Sequence, residues 1–568
     1  MTSNNIHTQG NLFTTTKNTM NSCKWNKKII TSRPPATTLK KSKTAQTFVV
    51  THEYKEYVRS QSYLGKKGYT LLKSVISTED YEFLKKDLYL TPFTAGLSYG
   101  NTEDTGFPVY RENSAKIYIP RFYGIKRYGL PDISELEEGN NIDIDFVKEL
   151  RDYQTNVVNL YLKYVNTSIC RNDSKNGNGG ILELPCGYGK TVLSLKIIAE
   201  LKKKTLILVH KEFLMNQWIE RITEFLPSAR VGKIQGSVFD VDGKDIVIGM
   251  IQTMHSRDFP TESFASFGLT IIDEVHRIGS EEFSKTLFKT LTPYMLGISA
   301  TVERKDKLTK ILYMFIGEKI YTVDRNDDDP VHVRSIEFKT NDREFNETEY
   351  DFRGSPKYST MITKLCEYGP RSDFIVTVID DLLKENEEKQ IMVLAHNRAL
   401  LTYLYDAIHH RISNDEDIVG YYVGGMKEKD LKITETKRIV LATYAMAAEA
   451  LDIKTLSTLV MATPKTDIEQ SVGRILRTRG QNPIVVDIVD AHEYLKGQWS
   501  KRKAFYKKCN YKIFSINSTK YNGFMMDWTK DTSWKIEYDP KVAKTTSLLG
   551  KNKCLIQIPI EDIANEPV

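Results

Sequence analysis

The sequence predicts an α/β protein: two tandem parallel-sheet domains, preceded by a small N-terminal domain and followed by a C-terminal extension. Three observations predict this. Short β-branched runs alternate with amphipathic stretches long enough for helices, the same rhythm stops and later restarts, and a glycine-rich loop joins the first run to the helix behind it. Strand, helix and strand at such spacing imply parallel strands linked by right-handed crossovers.

The first set of runs is 181–184, 205–209, 246–250, 269–272 and 296–299, and the second is 391–394, 439–443, 456–461 and 484–489. An Asp-rich loop at 324–329 and a helical lead-in at 374–383 lie between them. The two domains are therefore expected at 146–322 and 340–490, with the extension at 491–568.

At roughly 150 residues per domain, a chain of 568 residues holds three or four. With 40% apolar and 27% charged residues, it is neither collagen-like nor disordered throughout. There is no run of 18 apolar residues, so a membrane-spanning helix is not expected. The cysteines (23, 170, 186, 366, 509 and 554) form no CxxC pair. That disfavours a zinc ribbon or a disulfide framework and suggests a reducing compartment.

Residues 1–50 hold seven Lys, one Arg and no acid, a charge of +8 against +7 for the whole chain. This segment reads as a disordered basic tail without a secretory apolar stretch. The rest of the chain nets −1, so nucleic-acid binding by the body must come from local patches.

Residues 51–140 are aromatic-rich and read as a small accessory domain. Ser77-Thr78-Glu79-Asp80 has the form of a helix start. Residues 116–124 alternate like a strand, and Arg121 with its aromatic neighbours either stacks on bases or fills a core. The acidic run 135–145 reads as a linker or a solvated face.

The run 181–184 leads into Pro185-Cys186-Gly187-Tyr188-Gly189-Lys190-Thr191 and then a helix with Val192, Leu195, Ile198 and Leu201 on one face. Glycines let backbone amides turn inward, and the helix N-terminus adds positive potential, so the loop suits phosphates. Lys190 would reach the β- and γ-phosphates of a nucleotide, and Thr191 would ligate Mg²⁺. Leu184 stands where the strict pattern has glycine.

Eighty-three residues beyond Lys190, a buried apolar run ends in Asp273-Glu274-Val275-His276. Adjacent acids at the carboxyl end of a strand would face the phosphate loop. Asp273 would hold Mg²⁺, and Glu274 would orient and deprotonate the attacking water. His276 has no second His or Cys at ligand spacing, so it reads as a hydrogen-bonding link between domains.

With these motifs the sequence resembles the superfamily 2 helicases of the DExH type, whose other motifs follow in order. Arg151 and Gln154 in LRDYQ resemble the adenine-reading segment. Residues 207–211 with Gln217-Trp218, and Gln252-Thr253, resemble elements that touch a nucleic-acid backbone. Ser299-Ala300-Thr301 matches the segment that couples hydrolysis to strand movement. Residues 442–453, including Thr443, resemble the second domain's strand-binding motif, with Ala450 where the family often has Gly. Gln470, Gly473, Arg474 and Arg477 match QxxGRxxR.

The resemblance covers 146–490, and is greatest to the XPB group and to helicases of large cytoplasmic DNA viruses, including poxvirus transcript-release helicases. It implies RecA-like domains, ATP and Mg²⁺ as cofactors and nucleic acid as partner. Further implications are transcription machinery as a partner and an intracellular setting, host cytoplasm or virion. At i and i+3 on a helix, Arg474 and Arg477 would face the γ-phosphate across the interdomain cleft and neutralise developing charge. Thr253 and Thr443 would grip phosphates of one strand, one in each domain, without reading sequence.

Residues 495–512 are basic with interleaved aromatics, which suits either strand stacking or packing on the second motor domain. DNA or RNA, single strand or duplex, and polarity stay open. Two other readings remain: a translocase subunit of a remodelling or restriction complex that does not unwind, and an inactive nucleic-acid scaffold.

Overall fold

The computed structural model describes residues 50–92, 106–167, 178–185, 187–260, 262–277, 281–304, 306–323, 331–386, 388–412, 417–449, 453, 455–476, 483–522, 533–540 and 552–554. Of the expected basic tail only Val50 is among them.

The first motor lobe is built on one twisted sheet. Seven parallel strands run in the order Val231–Gln235, Ile246–Met250, Thr205–Val209, Leu269–Asp273, Tyr294–Ser299, Gly179–Glu183 and Lys319–Val323. Antiparallel strands Val238–Phe239 and Asn552–Cys554 close its two edges. The central strands Thr205–Val209 and Leu269–Asp273 are buried throughout and mostly apolar because helices cover both faces, the pattern of a parallel sheet. The strand Gly179–Glu183 and the next in sequence, Thr205–Val209, are separated by two others. That reversal of strand order opens a crevice at the carboxyl ends, where α/β sheets bind ligands.

The second lobe repeats the plan. Its parallel strands run in the order Val419–Tyr422, Ile439–Thr443, Gln390–Ala395, Leu456–Met461, Ile484–Asp490, His332–Phe338 and Lys512–Asn517, with Lys535–Tyr538 antiparallel at the edge. This sheet thus draws in strands from both sides of 340–490. The helix Glu493–Lys508 packs Leu495, Arg502 and Tyr506 inward and joins two of those strands.

Among the described residues, the N-terminal domain has a five-stranded sheet, a two-stranded pairing of Tyr89–Leu90 with Phe107–Pro108, and three helices, His52–Ser60, Thr78–Asp87 and Arg121–Tyr128. Ser77 caps the second helix, its hydroxyl accepting from the amide of Asp80 at 3.1 Å. The region 116–124 is not a continuous strand. Pro120 ends the strand Lys116–Ile119 because it has no amide to pair, and its φ of −54° leads into the helix. Arg121 does not stack on bases. It is 1% exposed and donates to the carbonyls of Thr292 (2.8 Å) and Pro293 (3.0 Å) in the first lobe.

The acidic run 135–145 is not a free linker. It lies along the first lobe, with backbone bonds from Asn140 to Ser266 and from Ile142 to Lys202.

Candidate active site

The carboxyl ends of the strands in the first lobe gather most of the residues singled out by sequence. Gly187 and Gly189 adopt φ near +80°, a conformation that strains any residue with a side chain. At Gly189 space is tight as well: a Cβ would lie 2.4 Å from Gln154 Nε2. Gly189 also caps the helix Lys190–Leu201, so the chain enters that helix with its first amides uncapped by any side chain. Such a loop fits phosphates.

Gln154 grips the loop from behind. Its Oε1 accepts from the amide of Arg151 at 3.0 Å, and its Nε2 donates to the carbonyl of Tyr188 at 3.4 Å. The rings of Tyr153 and Tyr188 lie 4.5 Å apart, tilted. The adenine-reading segment and the phosphate loop are therefore one packed unit. Pro185 and Thr191 flank the loop, and Cys186 lies outside the described residues.

Asp273 and Glu274 end the neighbouring strand but differ in environment. Asp273 is 7% exposed, and its Oδ2 accepts from Trp218 Nε1 at 2.9 Å. Burial and then the adjacent Glu274 charge push its carboxyl above the usual range. Glu274 sits at φ +50°, which costs a residue with a Cβ about 1–2 kcal/mol. There its Oε1 lies 3.2 Å from Lys190 Nζ. Burial alone would raise the Glu274 carboxyl, but the Lys190 ammonium and then His276 reverse this and hold it well below the usual range. The ammonium expected to bind phosphate and the carboxylate expected to activate water are thus already in contact.

His276 extends the chain of contacts. Its Nδ1 lies 3.3 Å from Glu274 Oε2 and 2.7 Å from Ser299 Oγ. The Ser299 hydroxyl donates to the carbonyl of Thr301, so Nδ1 carries the hydrogen toward serine. Arg304 donates to the carbonyl of His276 and pairs with Asp306. The segment Ser299-Ala300-Thr301 is therefore wired to Glu274 through one imidazole.

Across the cleft, the second lobe presents the helix Glu469–Gly473, followed by a 3₁₀ turn at Arg474–Leu476. Burial raises the Glu469 carboxyl, and the charges of Lys508, Asp467, Glu183 and Lys190 act on it in turn, the last two from the first lobe. Arg474 is half-buried at its end. Arg477 and the side chain of Gln470 lie outside the described residues.

The strand-contact candidates are less uniform. Thr443 ends its strand half-exposed at the carboxyl edge of the second sheet. Thr253 is 8% exposed, and its hydroxyl accepts from the Gly236 amide at 2.9 Å, which occupies it within the lobe. Gln252 donates to the carbonyl of His210 at 2.9 Å and binds two of the motifs together. Trp218 is buried on Asp273 rather than facing a backbone.

Two residues that no sequence motif singles out for this role brace the elements around the site: Trp218 on Asp273, and Glu183 at the end of the strand Gly179–Glu183. Trp218 was read only within a strand-contact motif. Glu183 was read only as part of a strand, yet its carboxylate reaches three donors beside the phosphate loop. Neither leaves a local sequence signal, because each partner lies more than 50 residues away.

Comparison with known proteins agrees with this geometry. The family profile described as the Type III restriction enzyme, res subunit, matches residues 147–304. A protein of Acanthamoeba polyphaga mimivirus, provisionally named an ATP-dependent RNA helicase, is 35% identical over 458 residues, which is 78% of this chain and 85% of that protein. One from African swine fever virus, named in the same way, is 29% identical over 367 residues, 60% of this chain and 70% of its own. A DNA 3′-5′ translocase of Sulfurisphaera tokodaii is 32% identical over 207 residues, 35% of this chain and 43% of its own. The loop glycines at positive φ, the adjacent acids Asp273 and Glu274, and a relative matched along most of its length lead to one conclusion: this chain belongs to the superfamily 2 helicases and is an ATP-dependent helicase related to viral members of that family.

Proposed function

We propose that the chain moves along and unwinds RNA during viral transcription, each ATP closing and reopening the two lobes. The observation that carries the mechanism is the 3.2 Å contact between Lys190 and Glu274, with the Lys190 charge also acting on Glu469 of the second lobe. An ATP phosphate would draw the Lys190 ammonium to itself. Glu274 would then be released from its counter-ion to orient and deprotonate water.

Arg474 and Arg477 would complete the site from the second lobe and neutralise charge as the γ-phosphoryl transfers. Hydrolysis would therefore be fast only in the closed state. Mg²⁺ fits the site: Asp273 is a buried carboxylate oxygen donor held by one tryptophan, and Thr191 opens the phosphate helix. Held by these two residues, the ion would neutralise phosphate charge.

His276 would report the state of Glu274 to Ser299 and Thr301. Thr443, at its sheet edge, would hold a strand phosphate, with Thr253 supporting the corresponding grip in the first lobe. Closure would shift one grip relative to the other by a step. RNA is favoured as substrate by the names of the mimivirus and swine fever virus relatives. The archaeal translocase supports a second reading, movement on DNA without strand separation.

The test is an ATPase assay with single- and double-stranded RNA and DNA in parallel, followed by strand displacement with a 3′ or 5′ overhang. Stimulation and displacement are expected on RNA. Stimulation by DNA with no displacement would favour the second reading, and no stimulation by any strand would refute the gated motor.

A further inference from the structure

Glu183 is the last residue of the strand that feeds the phosphate loop. Its Oε1 accepts from the Val302 amide at 2.8 Å. Its Oε2 accepts from Lys319 Nζ at 2.6 Å and from Thr322 Oγ1 at 2.9 Å. Both carboxylate oxygens are thus engaged by two segments that are distant in sequence. The side chain is 17% exposed, so these are largely desolvated contacts. For stability alone, an apolar residue could fill the same strand end without the cost of desolvating an ion pair.

The two segments matter for what they carry. Val302 directly follows Ser299-Ala300-Thr301, which His276 holds at its other end. Lys319–Val323 is the last strand of the first lobe before the chain passes to the second lobe's strand His332–Phe338. The coupling segment is therefore clamped on one side by the water-activating centre and on the other by the phosphate-loop strand. We propose that Glu183 is a positioning residue for energy transduction: its carboxylate locks the phosphate-loop strand to both the coupling segment and the strand leading to the second lobe. A shift of the phosphate loop with nucleotide state then moves both partners together. The inference rests on the ATP-driven stepping proposed above. It adds a mechanical link made by Glu183 to Val302, Lys319 and Thr322.

The test compares wild type with Glu183→Gln, Glu183→Ala and Lys319→Met. Measured are basal ATPase, KM for ATP, strand-stimulated kcat, strand displaced per ATP hydrolysed, and melting temperature. Glu183→Gln keeps an acceptor for Val302 and removes the anion that holds Lys319. Its basal ATPase and KM are expected to stay within about twofold, while stimulation and displacement per ATP fall roughly threefold to thirtyfold, the range found for residues on coupled networks.

Lys319→Met cuts one arm only and is expected to show the same split, which keeps the test decisive should Glu183→Ala not fold. Basal rate, stimulated rate and melting temperature falling in proportion would reduce Glu183 to a structural residue and overturn the proposal. So would Glu183→Gln coupling as well as wild type. A wild type with no strand stimulation would instead defeat the stepping reading itself, and the clamp with it.

Discussion

At the residue scale, the two adjacent acids Asp273 and Glu274 are set apart by their neighbours rather than by their type. Glu274 is held ionised by Lys190 and His276, while burial and the Glu274 charge push Asp273 the other way. The general base proposed above is the one whose proton affinity depends on an ammonium that a phosphate would draw off. Glu274→Gln keeps the size and hydrogen-bonding reach of the side chain but removes its basicity. Turnover is expected to fall about 10²- to 10⁴-fold, the contribution of a positioned base, with ATP binding retained. Equilibrium binding of ATP alongside steady-state hydrolysis checks it; intact turnover would remove Glu274 from that role. Trp218→Phe isolates the other acid. It removes the single indole donor to Asp273 Oδ2 while largely preserving the buried ring. Loss of such a supporting hydrogen bond commonly weakens a metal site about 10- to 100-fold. The Mg²⁺ concentration for half-maximal ATPase is expected to rise on that scale, and an unchanged Mg²⁺ titration would show that Trp218 merely packs.

At the element scale, the helix Glu493–Lys508 is fastened to the second sheet by a buried ion pair. Arg502 and Asp487 are each 1% exposed, with bonds of 2.8 and 2.9 Å, and Tyr506 adds a third donor to the same carboxylate at 3.0 Å. Arg502→Ala leaves a buried carboxylate without its counter-ion and is expected to cost about 3–5 kcal/mol in denaturant unfolding. A loss below about 1 kcal/mol, the scale of an exposed pair, would mean that water reaches Asp487. This element also shows what sequence can and cannot reveal. Its interleaved aromatics allow either strand stacking or packing on the second lobe, and the structure shows the packing, whereas the strand runs and phosphate loop follow from local pattern. That Lys512–Asn517 pairs with His332–Phe338 does not, because the two strands are some 180 residues apart and neither has a distinctive composition. The site divides along the same line. Lys190, Asp273 and Glu274 announce themselves in contiguous motifs, whereas Glu183 acquires its role from donors 119, 136 and 139 residues away. At 116–124 the alternation predicts one strand, but Pro120 has no amide to pair and a helix starts there instead.

At the scale of the whole molecule, the chain is joined tightly in one place and loosely in another. Tyr69 and Phe122 of the N-terminal domain share a continuous apolar core with Met295 and Phe315 of the first lobe. Between the lobes, the facing helices Glu212–Phe225 and Glu428–Glu435 meet through Asn216–Glu428 at 3.2 Å and Lys432–Glu220 at 2.8 Å, with the Lys432 and Glu220 side chains both 58% exposed, while the half-buried Phe213 packs on the second lobe's core. Exposed pairs of that kind contribute little, so they can break and re-form as the lobes move. The N-terminal domain and the first lobe should therefore behave as one rigid body and the second lobe as another. Arg121→Met tests the division, since it leaves the Thr292 and Pro293 carbonyls without their guanidinium donor inside the shared core. The expected cost is about 1–3 kcal/mol for each buried acceptor left unsatisfied. Hydrogen exchange should then show the amides of Lys116–Ile119 and Tyr294–Ser299 losing protection together, while those of Gln390–Ala395 keep theirs. Loss confined to the N-terminal strands would mean that this domain is an appendage with its own stability, and the lever moved by ATP would then be the first lobe alone.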